Sequence, residues 1–180
     1  MRLIAPLVAG LALSLGQPAF AAAPLAGEQL ASVHRLKLGK FEVSSLLDGY
    51  TDIDPKILSG ADNRQIGRLL EAAHLKNGPV RTAVTAFAVN TGARLVLIDT
   101  GAAEVFGPTM GRLSEALSAA DLEPEQVDDI LITHLHGDHV GGLLGADGKV
   151  AFPNAHLHIS GTELEAWRKV AEDPKADPML

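Results

Sequence analysis

The stretch "ILITHLHGDHVGG", Ile130–Gly142, places three histidines and an aspartate within six residues, directly after a short apolar run. The whole chain has seven histidines in 180 residues, so this cluster is unusually dense. His134 and His136 follow a predicted strand with one residue between them, so their side chains leave on the same side and can converge on one metal ion. The glycine that follows can turn the chain, which lets Asp138 and His139 hold a second ion.

This donor set indicates zinc. Neutral imidazole nitrogen at about 2.0 to 2.1 Å and carboxylate oxygen both suit Zn²⁺, and two such ions about 3.5 to 4 Å apart can share a bridging hydroxide. The alternative is a chance cluster of capping or surface histidines. That alternative explains one or two of the residues, but not four ligand-type residues in H-x-H-x-D-H spacing between a buried strand and a glycine pair.

The N-terminus is predicted to be a signal peptide over residues 1–21, followed by a linker over residues 22–32. Arg2 supplies the positive region, Leu3–Leu15 the apolar run, and Ala19–Ala21 a small-x-small cleavage site. The alternative, an uncleaved membrane anchor, is disfavoured because the run is too short to span a bilayer. We therefore expect a periplasmic or secreted protein without stable membrane insertion after cleavage.

The net charge and the cysteine count exclude some classes of binding partner and of chemistry. The net charge is −7, and loss of Arg2 with the signal makes it −8, which argues against nucleic-acid binding. The chain has no cysteine, so a thiolate ligand, a thiolate nucleophile and disulfides are all excluded. The length after cleavage fits one domain, and a small-molecule substrate is the expected partner.

The first half of the domain is predicted to open with a hairpin of strands at Val33–Leu38 and Phe41–Leu47, with a turn at Asp48-Gly49 closing the second strand. Asp62 and Gln65 predict a capping pair for a helix that runs through His74. "TAVTAFAVN" and "RLVLID", residues 82–90 and 94–99, are two antiparallel strands without strict alternation, so we expect them to be buried on both faces.

The second half is predicted to alternate helices with strands. An amphipathic helix is expected over Thr109–Ala120, with Met110, Leu113 and Leu117 on one side, and a helical turn from Pro124. A strand over Ile130–Thr133 then leads into the histidines. The strand "AHLHI", residues 155–159, precedes a final helix for which Ser160 and Glu163 predict a capping box. The sequence therefore indicates a layered α/β structure.

"THLHGDHVGG", together with the upstream "LVLIDTG", resembles the metallo-β-lactamase superfamily, whose α/β fold is a four-layer αββα sandwich of two similar halves with a dinuclear site between them. "IDTGAAEVFGPTMGRL", "PEQVDDILITHLHGDHVGGL" and "FPNA" resemble its exported methyl parathion hydrolase-like and lactonase-like members. The resemblance implies that His134 and His136 bind a first Zn²⁺ and that Asp138 and His139 bind a second. Asp138 is also the candidate catalytic residue.

The resemblance assigns further residues less specifically. Asp99 would support the histidine loop from behind the ligands, although it could equally be a turn carboxylate after a strand. Phe106 and Trp167 match positions that form an aromatic wall at the pocket mouth of methyl parathion hydrolase-like proteins, and core packing is the alternative. His156 and His158 have ligand-like spacing, but we favour an ordinary strand face because no third ligand accompanies them.

The function implied is that of a zinc-dependent hydrolase using a metal-bound hydroxide on an ester, lactone or phosphotriester. The alternatives are a β-lactamase with a histidine-rich dinuclear site and a non-catalytic zinc-binding remnant. A full superfamily member has a further histidine on the first metal, a bridging aspartate, and a last histidine on the second, and no residue after His139 lies in a matching motif. We therefore expect residues 33–180 to be the N-terminal part of the domain, inactive alone, with one sheet face open.

Overall fold

The computed structural model describes residues 32–103 and 105–173. The predicted signal peptide at residues 1–21 and nearly all of the linker at 22–32 lie outside the described residues. Within them, none of the helices has the length and hydropathy needed to cross a membrane.

A single six-stranded sheet runs through the described residues in chain order, β1 to β6. The strands are β1 Val33–Leu38, β2 Phe41–Ile53, β3 Val80–Asn90, β4 Leu95–Ile98, β5 Asp129–Leu131 and β6 His156–His158. The helices are α1 Asn63–Ala72, α2 Leu113–Ala119, α3 Gly137–Val140 and α4 Gly161–Glu172, with 3₁₀ turns at Pro55–Ile57, Pro124–Gln126 and Gly141–Leu143.

The sheet changes direction at β4, and this change positions the site. Strands β1 to β4 are antiparallel, whereas β4, β5 and β6 are parallel. The carboxyl ends of parallel neighbours meet at one edge of a sheet. Asp99, directly after β4, and His134, shortly after β5, are thereby brought to the same edge.

Several local predictions are confirmed. The opening hairpin pairs Val33 with Leu46 and Leu38 with Phe41. The capping box of α1 is present, since the Gln65 backbone N–H donates to Asp62 Oδ1 at 2.7 Å and the Asp62 backbone N–H donates to Gln65 Oε1 at 2.9 Å. The helix ends at Ala72, two residues earlier than predicted.

The predicted turn at Asp48-Gly49 is wrong, because β2 continues through it to Ile53. The pairing of β2 with β3 shifts between Leu47 and Gly49, a β-bulge that buries the Asp48 side chain. Its carboxylate accepts three backbone N–H groups, which allows a charged residue inside the strand.

Helix α2 and strand β5 also differ in length from their predictions. Helix α2 begins at Leu113 instead of Thr109, because the preceding backbone is bonded to β2: the Tyr50 N–H donates to the Thr109 carbonyl and the Arg112 N–H to the Asp48 carbonyl. Strand β5 ends at Leu131 instead of Thr133, whose backbone N–H donates to the Asp99 carboxylate.

The core lies on one face of the sheet. Leu46, Leu97 and Ile130 are buried there against Leu113 and Leu117 of α2. Met110 is also buried, as predicted.

The opposite face of the sheet is open, as predicted, so β3 and β4 are not buried on both sides within the described residues. The register places Phe87 and Leu131 together on this face, and each is 41% exposed. Leu36 and Phe41 continue it at 46% and 45% exposure. The cause is that α2 packs on the other side of the sheet, so this apolar face remains open within the described residues.

Candidate metal centre

The histidine loop, residues 132–142, follows β5 and contains a single turn of helix, α3, and it is packed tightly against the backbone that follows β4. The Thr100 backbone N–H and hydroxyl both donate to the His139 carbonyl, at 2.8 and 3.0 Å. A Cβ on Gly142 would lie 2.0 Å from the Thr100 carbonyl oxygen, and one on Gly141 would lie 2.4 Å from that of Ala102. Only glycine permits this approach, so the two glycines fix where the loop sits.

Asp99 holds the His139 ring in a defined state. The residue is 7% exposed, and its Oδ2 lies 2.8 Å from His139 Nδ1. A carboxylate only accepts, so Nδ1 carries a proton, and Nε2 is the nitrogen whose lone pair the ring offers when it binds a metal. That Nε2 faces Asp138 Oδ2 at 3.4 Å. Two acceptors at this distance repel each other unless a cation lies between them. Two ligands of a tetrahedral zinc ion, each at about 2.1 Å from the metal, are about 3.4 Å apart, which matches this separation.

Thr133 links Asp99 to His134 and so determines which nitrogen of the His134 ring carries the proton. Its hydroxyl donates to Asp99 Oδ2 at 2.8 Å, and its oxygen lies 3.1 Å from His134 Nδ1. Because the hydroxyl hydrogen is already donated, the oxygen accepts from Nδ1–H of His134. The lone pair of His134 Nε2 then faces His136 Nδ1 at 3.0 Å. One carboxylate therefore sets both rings, which favours the supporting role for Asp99 over that of a turn carboxylate.

The surroundings of His134 favour its neutral form. Burial lowers its pKa, and the neighbouring His139 and His136 lower it further. A neutral imidazole is the form that binds a metal.

The four predicted ligands form two pairs. Across residues 32–103 and 105–173, no group of three or more His, Asp or Glu side chains is arranged to hold one ion. Catalytic zinc typically takes three protein ligands and structural zinc four. The imidazole nitrogens and the carboxylate oxygen are atom types that zinc binds, and their lone pairs point toward each other within each pair. Each pair nevertheless supplies only two of the three or four ligands that a zinc ion takes.

Both predicted aromatic residues border the histidine loop. The Trp167 ring from α4 meets His136 edge-on, with centroids 5.5 Å apart and planes at 88°. A Cβ on Gly137 would lie 3.6 Å from Phe106 Cε2. A separate cavity of about 660 Å³, lined by residues including Asp48, Met110, Leu117 and Phe152, lies between α2 and the loop before β6, away from the histidines.

Glu163 has a role that the sequence analysis missed. The capping box predicted with Ser160 is wrong, because Ser160 makes no side-chain cap bond to α4. Glu163 Oε1 instead accepts from the Leu135 backbone N–H at 3.0 Å and from Trp167 Nε1 at 2.8 Å. These two N–H donors hold the pKa of Glu163 below its usual range. The spacing of Glu163 and Trp167, four residues apart on one helix, was the available signal.

Thr133 was also missed, although a hydroxyl residue directly before the first histidine was visible in the sequence. His156 and His158 are exposed on β6, and His158 Nε2 lies 2.9 Å from Asp129 Oδ1. Both histidines lie on an exposed face of strand β6, outside the histidine loop.

Comparisons with known proteins place the fold. A family model described as the metallo-beta-lactamase superfamily matches residues 79–176. The crystal structure of AbOPH, a hydrolase in the beta lactamase superfamily, has 38% sequence identity and a TM-score of 0.73, covering 83% of this chain and 50% of its own. AidC, a dizinc quorum-quenching lactonase in complex with a homoserine product, has 29% identity and a TM-score of 0.73, covering 78% of this chain and 48% of its own.

A probable metal-dependent hydrolase from Staphylococcus aureus has the same fold, with 20% identity and a TM-score of 0.63, over 79% of this chain and 54% of its own. A search of curated protein sequences gave no match. The chain spans about half the length of these solved proteins. The mixed α/β fold and the cluster of three histidines and Asp138 at the sheet edge agree with the matched family model. The chain therefore belongs to the metallo-beta-lactamase superfamily.

Proposed function

We propose that this chain carries the metal-binding loop of a zinc-dependent hydrolase. The observation that supports this most is the Asp99 network, which leaves His134 Nε2 and His139 Nε2 as lone pairs facing their neighbours. His134 and His136 would hold a first Zn²⁺, and Asp138 and His139 a second. The dizinc lactonase AidC, at 29% identity, supports the choice of metal.

Zinc, when bound, supplies Lewis acidity: it brings the pKa of a water toward neutral and polarises the carbonyl or phosphoryl oxygen under attack. The chain's own residues do the rest. Asp99 keeps the protons on the Nδ1 atoms of His139 and, through Thr133, of His134, so both rings offer Nε2. Asp138 presents its carboxylate opposite His139. No side chain is proposed as a covalent nucleophile.

The proposed substrate is a small ester, lactone or phosphotriester. AidC was solved with the homoserine product of its lactonase reaction, which supports a lactone in particular. Phe106 and Trp167 lie at the histidine loop and would contact the apolar part of such a substrate while excluding water.

We also propose that residues 33–180 are the N-terminal part of a longer hydrolase, exported to the periplasm or secreted after cleavage near Ala22. The half-length match to the solved relatives, the open apolar sheet face and the paired ligands support the first point. The N-terminal sequence pattern supports the second. Downstream codons encoding a histidine, an aspartate and a last histidine at strand ends would support the first, and a mature N-terminus at Ala22 by mass spectrometry the second. An intact Met1 on the exported protein would contradict cleavage.

The test of function is a hydrolysis panel of a lactone, a phosphotriester and a β-lactam, run on the native gene product beside metal analysis. We expect zinc-dependent turnover of the lactone or phosphotriester, and Asp138→Ala to lower zinc content and turnover together. Turnover of the β-lactam alone would favour a β-lactamase. Bound zinc without any turnover would favour a non-catalytic protein.

A further inference from the structure

Helix α4 is tied to the histidine loop through one oxygen atom. Glu163 Oε1 accepts both the Leu135 backbone N–H and the Trp167 indole N–H. Leu135 lies between the two histidines assigned to the first metal, so the bond anchors the backbone from which both rings project. The Glu163 carboxylate is ionised at neutral pH, and the two N–H donors lower its pKa further, so both hydrogen bonds are charge-assisted.

The same oxygen sets the orientation of Trp167. An indole whose N–H is held by a carboxylate one helical turn away has little freedom to rotate. The ring therefore keeps its edge-on contact with His136 at 5.5 Å. His136 is thus restrained twice, through the amide of its neighbour Leu135 and through its ring.

His136 needs this restraint more than the other two rings. The Asp99 network reaches His139 directly and His134 through Thr133. Among the described residues, the His136 ring has a hydrogen bond to His134 Nε2 and edge-on ring contacts with His134 and Trp167. A ligand without a hydrogen-bonded partner behind it loses its orientation easily.

We propose that Glu163 is a positioning residue for the first metal: together with Trp167 it holds His136 in the orientation that presents Nδ1 beside His134 Nε2. This inference rests on the proposed function, because it assigns a partner to a ligand of the proposed zinc site. It also couples metal binding to α4.

The chain reports on this coupling itself, because Trp167 is its only tryptophan. We expect zinc titration of the purified native gene product to change Trp167 fluorescence, measured as the difference between wild type and Trp167→Phe. Glu163→Ala should weaken zinc binding about 10-fold and shrink the fluorescence change. Glu163→Gln keeps an acceptor oxygen and should restore most of the affinity. Glu165→Ala, an exposed position on the same helix, is the matched control and should match wild type.

A second variant guards against misfolding of Glu163→Ala. Trp167→Phe removes the N–H donor but keeps an aromatic ring, and its zinc affinity is read with a competing chelator dye. We expect a smaller loss than for Glu163→Ala. In the metal-free chain, hydrogen exchange at the Leu135 amide should accelerate in Glu163→Ala, whereas amides in β3 and β4 should keep their protection if the fold is intact.

Two outcomes separate the failures. Zinc binding to Glu163→Ala and Trp167→Phe with wild-type affinity would overturn the positioning role and leave the proposed function standing. A wild-type native gene product that binds no zinc would overturn the proposed function, and the positioning role with it.

Discussion

Asp48 and Asp99 are both buried carboxylates, 0% and 7% exposed, yet they face different partners. Asp48 accepts from the backbone N–H groups of three residues: Ala102, Gly111 and Leu113. Asp99 accepts from the Thr133 backbone and hydroxyl and from the His139 ring. A carboxylate that faces amides fixes the backbone, whereas one that faces imidazole also fixes which nitrogen carries the proton.

Both carboxylates contact the segment that follows β4. Asp99 begins the segment that Asp48 holds, and a Cβ on Gly101 would lie 2.5 Å from Asp48 Cγ. Asp48 thus positions the backbone that lies against the histidine loop. Asp99 determines which ring nitrogen carries the proton in His139 and, through Thr133, in His134. Replacing each aspartate by asparagine should separate the two roles.

The largest effect on stability is expected for Asp48→Asn. An amide nitrogen would replace one acceptor oxygen and face a backbone donor, leaving at least one buried N–H unsatisfied. The free energy of unfolding should fall by about 3 kcal/mol, measured by urea denaturation. Asp147→Asn, in an exposed loop, should change it little. A loss below about 1 kcal/mol for Asp48→Asn would show that these bonds do not hold the loop.

Asp99→Asn should affect zinc more than stability. An asparagine that keeps the Thr133 contact turns its NH₂ toward His139 Nδ1, moves the ring proton to Nε2 and removes the lone pair facing Asp138. Zinc affinity should fall about 10 to 100-fold, measured by titration. Asp129→Asn is the matched control, since Asp129 also bonds a histidine, His158, outside the site. Equal affinities for the two variants would contradict the tautomer argument.

A smaller effect is expected at Thr133. Thr133→Val removes the hydroxyl that links Asp99 to His134 and leaves the direct bond to His139. Zinc affinity should drop by less than in Asp99→Asn, and Thr133→Ser should restore it because serine keeps the hydroxyl. If serine and valine give the same affinity, the hydroxyl is not the link.

The smallest effect concerns pH. The pKa of His134 is lowered, so the folded state disfavours its charged form. Its contribution to stability is therefore full above the unfolded value of about 6.5 and declines as pH falls through that value toward the folded pKa. Urea midpoints at pH 7.5 and 5.5 should differ less in His134→Gln than in wild type. The exposed His34→Gln should keep the wild-type difference.

What the sequence could predict depended on how local each signal was. The histidine cluster and the Asp62 capping box are short-range patterns, and the structure places their residues together. The bulge at Asp48 was missed because its three amide partners lie more than fifty residues along the chain. The spacing of Ser160 and Glu163 predicts a capping box, whereas the N–H groups of Leu135 and Trp167 both reach Glu163 Oε1 only in the folded chain.

The central claim is that the His134–His136 pair and the Asp138–His139 pair each contribute to binding one zinc ion, and zinc stoichiometry measured by equilibrium dialysis on the native gene product tests it most directly. We predict two zinc ions per molecule of the wild-type gene product at saturation, and loss of one of them in Asp138→Ala, since Asp138 belongs to the second pair. Equal stoichiometry in wild type and Asp138→Ala, or no zinc bound by wild type, would contradict it.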